Sequence, residues 1–101
     1  MATVTDIGSL IEQTPGTRGG RPCIVGTGIT VHRVAIWHKL GHTPEEIAAH
    51  YPHLSVAQVY AALTYYHANR DVIEADIAAE EAEADRLERE IRAARAAQTE
   101  R

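Results

Sequence analysis

The sequence has no phenylalanine and only one each of tryptophan, methionine and cysteine among 101 residues. A lone cysteine closes no internal disulfide, which excludes a disulfide-stapled secreted miniprotein and suits a reducing compartment. No apolar run approaches the roughly 18 residues that a membrane span requires. The start, MATVTDIGSL, has no basic segment leading into an apolar one, so a secretory signal is not expected and a cytoplasmic location is. Charge of one sign is also lacking: 10 Lys and Arg face 14 Asp and Glu, for a net charge of -4. With 45% hydrophobic residues the chain sits in the globular range, and its length has room for one domain and no more.

The mild average hides a division. Residues 1–70 carry five basic and four acidic residues, whereas residues 71–101 carry five basic and ten acidic ones. The head is nearly neutral and the tail is acidic, which points the tail at a partner other than nucleic acid.

In the head, Gly19-Gly20-Arg21-Pro22-Cys23-Ile24-Val25-Gly26-Thr27-Gly28-Ile29-Thr30-Val31 reads as one or two short strands with tight turns. A helix of about ten residues follows from Val31 to Leu40, with a stripe of Val34, Trp37 and Leu40, and Gly41 is placed to end it. Thr43-Pro44-Glu45-Glu46 is a capping box with Pro at the first helical position, and Pro52 forbids that helix from continuing. Ser55-Val56-Ala57-Gln58 is a second capping box. The short connection Tyr51-Pro52-His53-Leu54 between them makes a helix-turn-helix unit. After Ser55 there is neither Gly nor Pro, and an apolar seam predicts a single helix running to about Ala96. The expected core is Val34, Trp37, Leu40, Ile47, Tyr51, Leu54, Val56, Val59 and Leu63. So thin a core predicts a homodimer or higher assembly, through a strand edge near Ile24-Val25 or Leu10-Ile11.

The stretch 19–31, followed by Leu40-Gly41-His42-Thr43-Pro44-Glu45-Glu46-Ile47 and by Tyr51-Pro52-His53-Leu54-Ser55, resembles the bacterial domain-of-unknown-function family 433. The resemblance covers about residues 10–70. It implies a small helix-turn-helix protein of the VapB-like antitoxin type, encoded beside a PIN-like ribonuclease toxin. Where the family usually has Arg after Gly-Thr this chain has Gly28, so no contact is carried over at that position. The family pattern leaves residues 75–101 uncovered.

In a helix-turn-helix the first turns of the second helix enter the major groove. That places Ser55, Ala57, Gln58 and Ala61 toward base edges, with Gln58 able to pair bidentately with adenine. Arg18, Arg21, Arg33 and Lys39 are the candidate phosphate contacts, although the reading helix itself has no cation before Arg70. Ser55 and Gln58 equally well serve only as helix caps. In the tail, Ile73, Ile77, Ala84, Leu87 and Ile91 are candidate anchors in a partner's groove, with Arg86 and Arg89 as candidate pairs for its carboxylates. A homodimeric coiled coil and a plain solvated tail remain alternatives. The spacings His38/His42 and His50/His53 suggest zinc, but Gly41 and Pro52 interrupt both pairs and no cofactor or metal is expected. Cys23, with His32 or His38 as a base, is the only nucleophile worth weighing; a buried small hydrophobe is the simpler reading. Gly26-Thr27-Gly28 is a turn rather than a phosphate loop.

The expectation is a mainly α, homeodomain-like helix-turn-helix domain over 1–70, with a short N-terminal β element and an acidic helical extension over 71–101. The expected function is a type II antitoxin that binds operator DNA and neutralises a PIN-like ribonuclease. The rival is a dimeric structural or adaptor protein that assembles through its long helix without touching DNA. No catalytic constellation supports an enzyme.

Overall fold

The computed structural model describes residues 6–16 and 18–99, with the side chains of Arg18 and Thr99 outside the description. A short 3-10 turn, Ile7–Leu10, leads into strand β1 (Ile11–Glu12), which pairs antiparallel with β2 (Cys23–Ile24). Helices α1 (Val31–Lys39), α2 (Pro44–Ala49), α3 (Val56–Ala68) and α4 (Arg70–Thr99) follow. The chain divides into two compact units, residues 1–70 and 71–101. No helix among the described residues is long and apolar enough to cross a membrane.

The two segments expected to offer dimerising edges pair with each other within the chain. Ile11 lies opposite Ile24, and the Val25 N–H donates to the Leu10 carbonyl at 2.9 Å. On its other side β2 is covered by its own chain: Ile24 N–H donates to Ile29, Val31 N–H donates to Pro22, and Cys23 bridges Thr30. β2, paired along both sides, has no free edge to give a second copy, which leaves the Leu10-Ile11 side as the expected edge that could serve. Between these contacts the chain reverses at Gly26 and Gly28, whose φ values of 78° and 73° lie in the left-handed region that glycine adopts without penalty.

Helix α1 starts at Thr30, whose hydroxyl accepts from the Arg33 N–H. Its buried face is Val31, His32, Val34 and Ala35, not the expected stripe of Val34, Trp37 and Leu40. The stripe begins one turn earlier, where α1 meets α3, so Trp37 is half-buried and Leu40 is 70% exposed at the C-cap. Gly41 (φ 96°) then turns the chain as expected. Its N–H donates to His38 and that of His42 to Trp37, the paired bonds of a Schellman ending.

Both capping boxes form. Thr43 and Glu46 exchange bonds of 2.9 and 3.1 Å at the start of α2, and Ser55 and Gln58 exchange bonds of 2.8 and 3.1 Å at the start of α3. In the turn between the two helices His53 takes φ 70°, uncommon outside glycine. Ile24, Val31, Val34, Ile47 and Val59 have no accessible surface, and Leu54, Leu63 and Tyr66 complete the core of the first unit. Val56 and Tyr51 are only half-buried.

The expected continuous helix from Ser55 is broken at Asn69 (φ -128°, ψ 35°). Its N–H is shared between the Tyr65 and Tyr66 carbonyls, and its side-chain amide donates to Tyr65 at 3.0 Å. One short polar side chain thus ends α3 without Gly or Pro. The 30 residues of α4 span about 45 Å at ~1.5 Å per residue.

Candidate nucleic-acid and partner interfaces

The α2–turn–α3 unit presents the start of α3 to solvent. Ser55 and Ala57 are exposed and Gln58 is half-buried, while Tyr60 and Thr64 continue the open side that Ala57 begins. Ala61 does not belong there: it is 4% exposed, buried like Val59, Ala62 and Leu63, so it has no access to a base edge. Alanine is small enough to lie at a helix contact or on an open face, and its identity gives no signal of which.

Ser55 and Gln58 are committed to each other. The Gln58 amide oxygen accepts from the Ser55 N–H, while the Gln58 N–H donates to the Ser55 hydroxyl. Bidentate adenine recognition uses the amide oxygen and nitrogen together, and swinging Gln58 out to do so breaks one of these bonds. The neighbouring charge is negative. Glu45 and Glu46 occupy the first turn of α2, and the Tyr60 hydroxyl donates to Glu45 at 3.5 Å. The backbone and then the hydroxyl of Thr43 hold the Glu46 carboxyl below the usual carboxylate value, with a smaller contribution from His42 and His50.

The candidate phosphate contacts are dispersed. Arg21 lies in the loop before β2. Arg33 and Lys39 are exposed on α1, but six residues apart they stand about 120° from each other round the helix. The side chain of Arg18 lies outside the described residues.

Sequence spacing missed how the imidazoles associate. Trp37 stacks on His50 (centroids 4.3 Å apart, 18° between planes) and takes His42 against its edge at 4.8 Å, while its indole N–H donates to the Tyr51 hydroxyl at 2.8 Å. These contacts tie the end of α1 to the turn after α2. His38 meets His67 of α3 at 5.6 Å instead of pairing with His42. His50 on Trp37 and His67 on His38 join residues 13 and 29 positions apart, so helical spacing carried no trace of either contact. Among the described residues no group of three or more His, Cys, Asp or Glu is arranged to hold a metal ion. Cys23 is buried and its thiol donates to the Arg21 carbonyl at 3.4 Å, as a small core residue does.

In the second unit, Ile73, Ile77, Ala84, Leu87 and Ile91 fall within an arc of about 80° on α4. Every described residue from Ala78 to Gln98 is exposed, Leu87 to 50% and Ile91 to 47%. Arg86 and Arg89 project from the opposite side of the helix. Arg86 is held by Glu83 and, at 2.8 Å, by Glu90, and Arg92 pairs with Glu88 at 2.6 Å. The expected anchors and the expected arginines therefore do not share a face.

Comparison with known proteins places this arrangement. The family model described as a protein of unknown function (DUF433) matches residues 11–66. The crystal structure of a DUF433 member from Anabaena variabilis ATCC 29413 is 34% identical, with a TM-score of 0.65 over 69% of each chain. No protein with a curated description matches.

Proposed function

The chain belongs to the DUF433 family, and on that premise we propose that it is the antitoxin of a type II toxin–antitoxin pair: a helix-turn-helix head that contacts operator DNA as a dimer, and a tail that neutralises a PIN-like ribonuclease. The observation that carries the reading is the division of labour along the chain. A trihelical unit with two capped helices across a tight turn is followed by a second unit whose helix is exposed from Ala78 onward. An exposed apolar stripe on a long helix matches helix-in-groove recognition, in which residues three and four apart seat in another protein. The acidic tail complements a surface that binds RNA, which is necessarily basic.

The head supports DNA contact through shape more than through charge. The open side of α3 offers Ser55, Ala57, Gln58, Tyr60 and Thr64, and the cations come from elsewhere in the unit. The test is fluorescence anisotropy of the full chain with the duplex upstream of its own gene and with a scrambled duplex, at two salt concentrations. Tighter binding to the upstream duplex, weakening with salt, supports the reading; equal binding to both removes sequence-specific regulation from it.

Two observations favour a second reading, an adaptor that never touches DNA. Ser55 and Gln58 are satisfied by capping, and the neighbouring Tyr60 hydroxyl donates to an acidic residue, Glu45. No binding to either duplex, with the partner still held by the tail, selects this alternative.

A further inference from the structure

The exposed part of α4 has a composition that disfavours its own copy. Beyond Ile77 the apolar members of the stripe are Ala84, Leu87, Ile91 and Ala94, spaced three and four residues apart, and the stripe position before them is the charged Glu80. Parallel self-pairing sets Ala84 against Ala84 and Ala94 against Ala94. Antiparallel pairing with Leu87 on Ile91 sets Ala84 against Ala94. In both orientations alanine meets alanine, and only Leu87 and Ile91 fill space between the helices.

The flanks are mainly acidic. Glu83 and Glu90 border the seam on one side, Glu81 and Glu88 on the other, and the basic residues Arg86, Arg89 and Arg92 lie toward the back of the helix. A parallel pair brings Glu83 against Glu88 of the second copy twice. An antiparallel pair brings Glu88 against Glu88 and Glu90 against Glu90. Arg95 offsets these contacts in number, facing Glu90 twice in the first and Glu81 twice in the second, so it is the alanines of the seam that disfavour a second copy. The ion pairs of Arg86 and Arg92 are exposed and weak, so they leave the bordering carboxylates open to a stronger partner.

We propose that the Ala84–Leu87–Ile91–Ala94 seam of α4 docks a basic amphipathic helix of a different protein, one with large apolar residues opposite the alanines and Lys or Arg on both borders. This rests on the reading of the tail as a protein-binding element and narrows it: the occupant is neither a second copy nor an acidic surface. The seam's alanines accept side chains that its own copy does not supply, and its carboxylates reward cations and repel anions.

The test uses the full-length chain and two labelled helical peptides of about four heptads, identical in their Leu and Ile seam, one with Lys and one with Glu at the bordering positions. Anisotropy is expected to show the Lys peptide binding at least about tenfold more tightly than the Glu peptide, with the preference shrinking as salt rises. Leu87→Ala with Ile91→Ala is expected to abolish most of that binding while leaving the circular dichroism of the head unchanged. Equal binding of both peptides, failure of both to bind, or binding indifferent to Leu87 and Ile91 overturns the inference. So does self-association of the full chain that disappears in the same double variant. Failure here is separable from failure of the antitoxin reading. Inhibition of a PIN-like ribonuclease that is lost with Leu87 and Ile91, while the Lys and Glu peptides bind equally, removes this inference and leaves that reading standing. Peptide selectivity without inhibition of any ribonuclease does the reverse.

Discussion

Gln58→Ala and Ser55→Ala separate the two roles open to these residues. In the folded chain the Ser55 hydroxyl satisfies the Gln58 N–H at 3.1 Å, and the Gln58 side chain satisfies the Ser55 N–H at 2.8 Å. Removing the hydroxyl leaves a first-turn donor to water and costs about 1 kcal/mol, the usual loss on truncating a Ser cap. Removing the Gln58 side chain costs about 0.5–1 kcal/mol for the bond, partly offset by alanine's better helix propensity. For a unit of about 70 residues, 1 kcal/mol corresponds to a fall in Tm of about 4–8 °C. Ser55→Ala is therefore expected to lower Tm by that amount, and Gln58→Ala by less. The double variant is expected to lose less than the sum, because each side chain supports the same turn. Thermal melts followed by circular dichroism measure all three, and duplex binding well below the melting range completes the comparison. If Gln58→Ala leaves Tm unchanged but erases the preference for one base pair in the upstream duplex, the capping account of this residue is refuted and it is a base reader.

Four further outcomes follow from the packing and the caps. Ala61→Leu is expected to destabilise by about 1–3 kcal/mol through overpacking, since Ala61 is buried; on an open face the same change would be neutral or better, and a urea melt decides. Ile24→Ala, at a fully buried position between the β element and the helices, is expected to cost about 2–5 kcal/mol and to abolish the cooperative thermal transition of so small a unit. Trp37→Phe keeps an aromatic ring but loses the hydrogen bond to Tyr51, so a loss of about 0.5–1.5 kcal/mol is expected in the same melt. The Glu46 carboxyl has a folded-state pKa below its ordinary 4.5, so its contribution is present above that value and is lost as pH falls toward the folded one. Tm measured through that acid range is expected to fall more steeply for the unaltered chain than for Glu46→Gln, whose side chain does not titrate.

Local chemistry was legible in the sequence, and contacts between distant segments were not. The caps at Thr43 and Ser55 and the ending at Gly41 involve residues only a few positions apart, so residue type and spacing were sufficient. The burial phase of α1 was not, because Val31, Val34, Ile36, Trp37 and Leu40 surround much of the helix and only the position of α3 selects Val31 and Ala35 over Leu40. The break at Asn69 left no Gly or Pro to mark it, and a seam of apolar residues runs past it in the sequence. The pairing of Ile11 with Ile24 and the stacking of His50 on Trp37 join segments 13 residues apart in each case. Nothing in either segment alone announces its mate.

The account's central claim, a head carrying a partner-binding acidic helix, is tested most directly by an inhibition measurement. The full-length chain is titrated into an RNA-cleavage assay of a PIN-like ribonuclease, the class of partner proposed for it, in parallel with Leu87→Asp/Ile91→Asp. Both positions are exposed and lie in the second unit, so the head is expected to stay folded in the double variant. The account predicts that the unaltered chain suppresses cleavage near stoichiometry and that the double variant does not. Equal suppression by both, or cleavage undiminished by either, contradicts it.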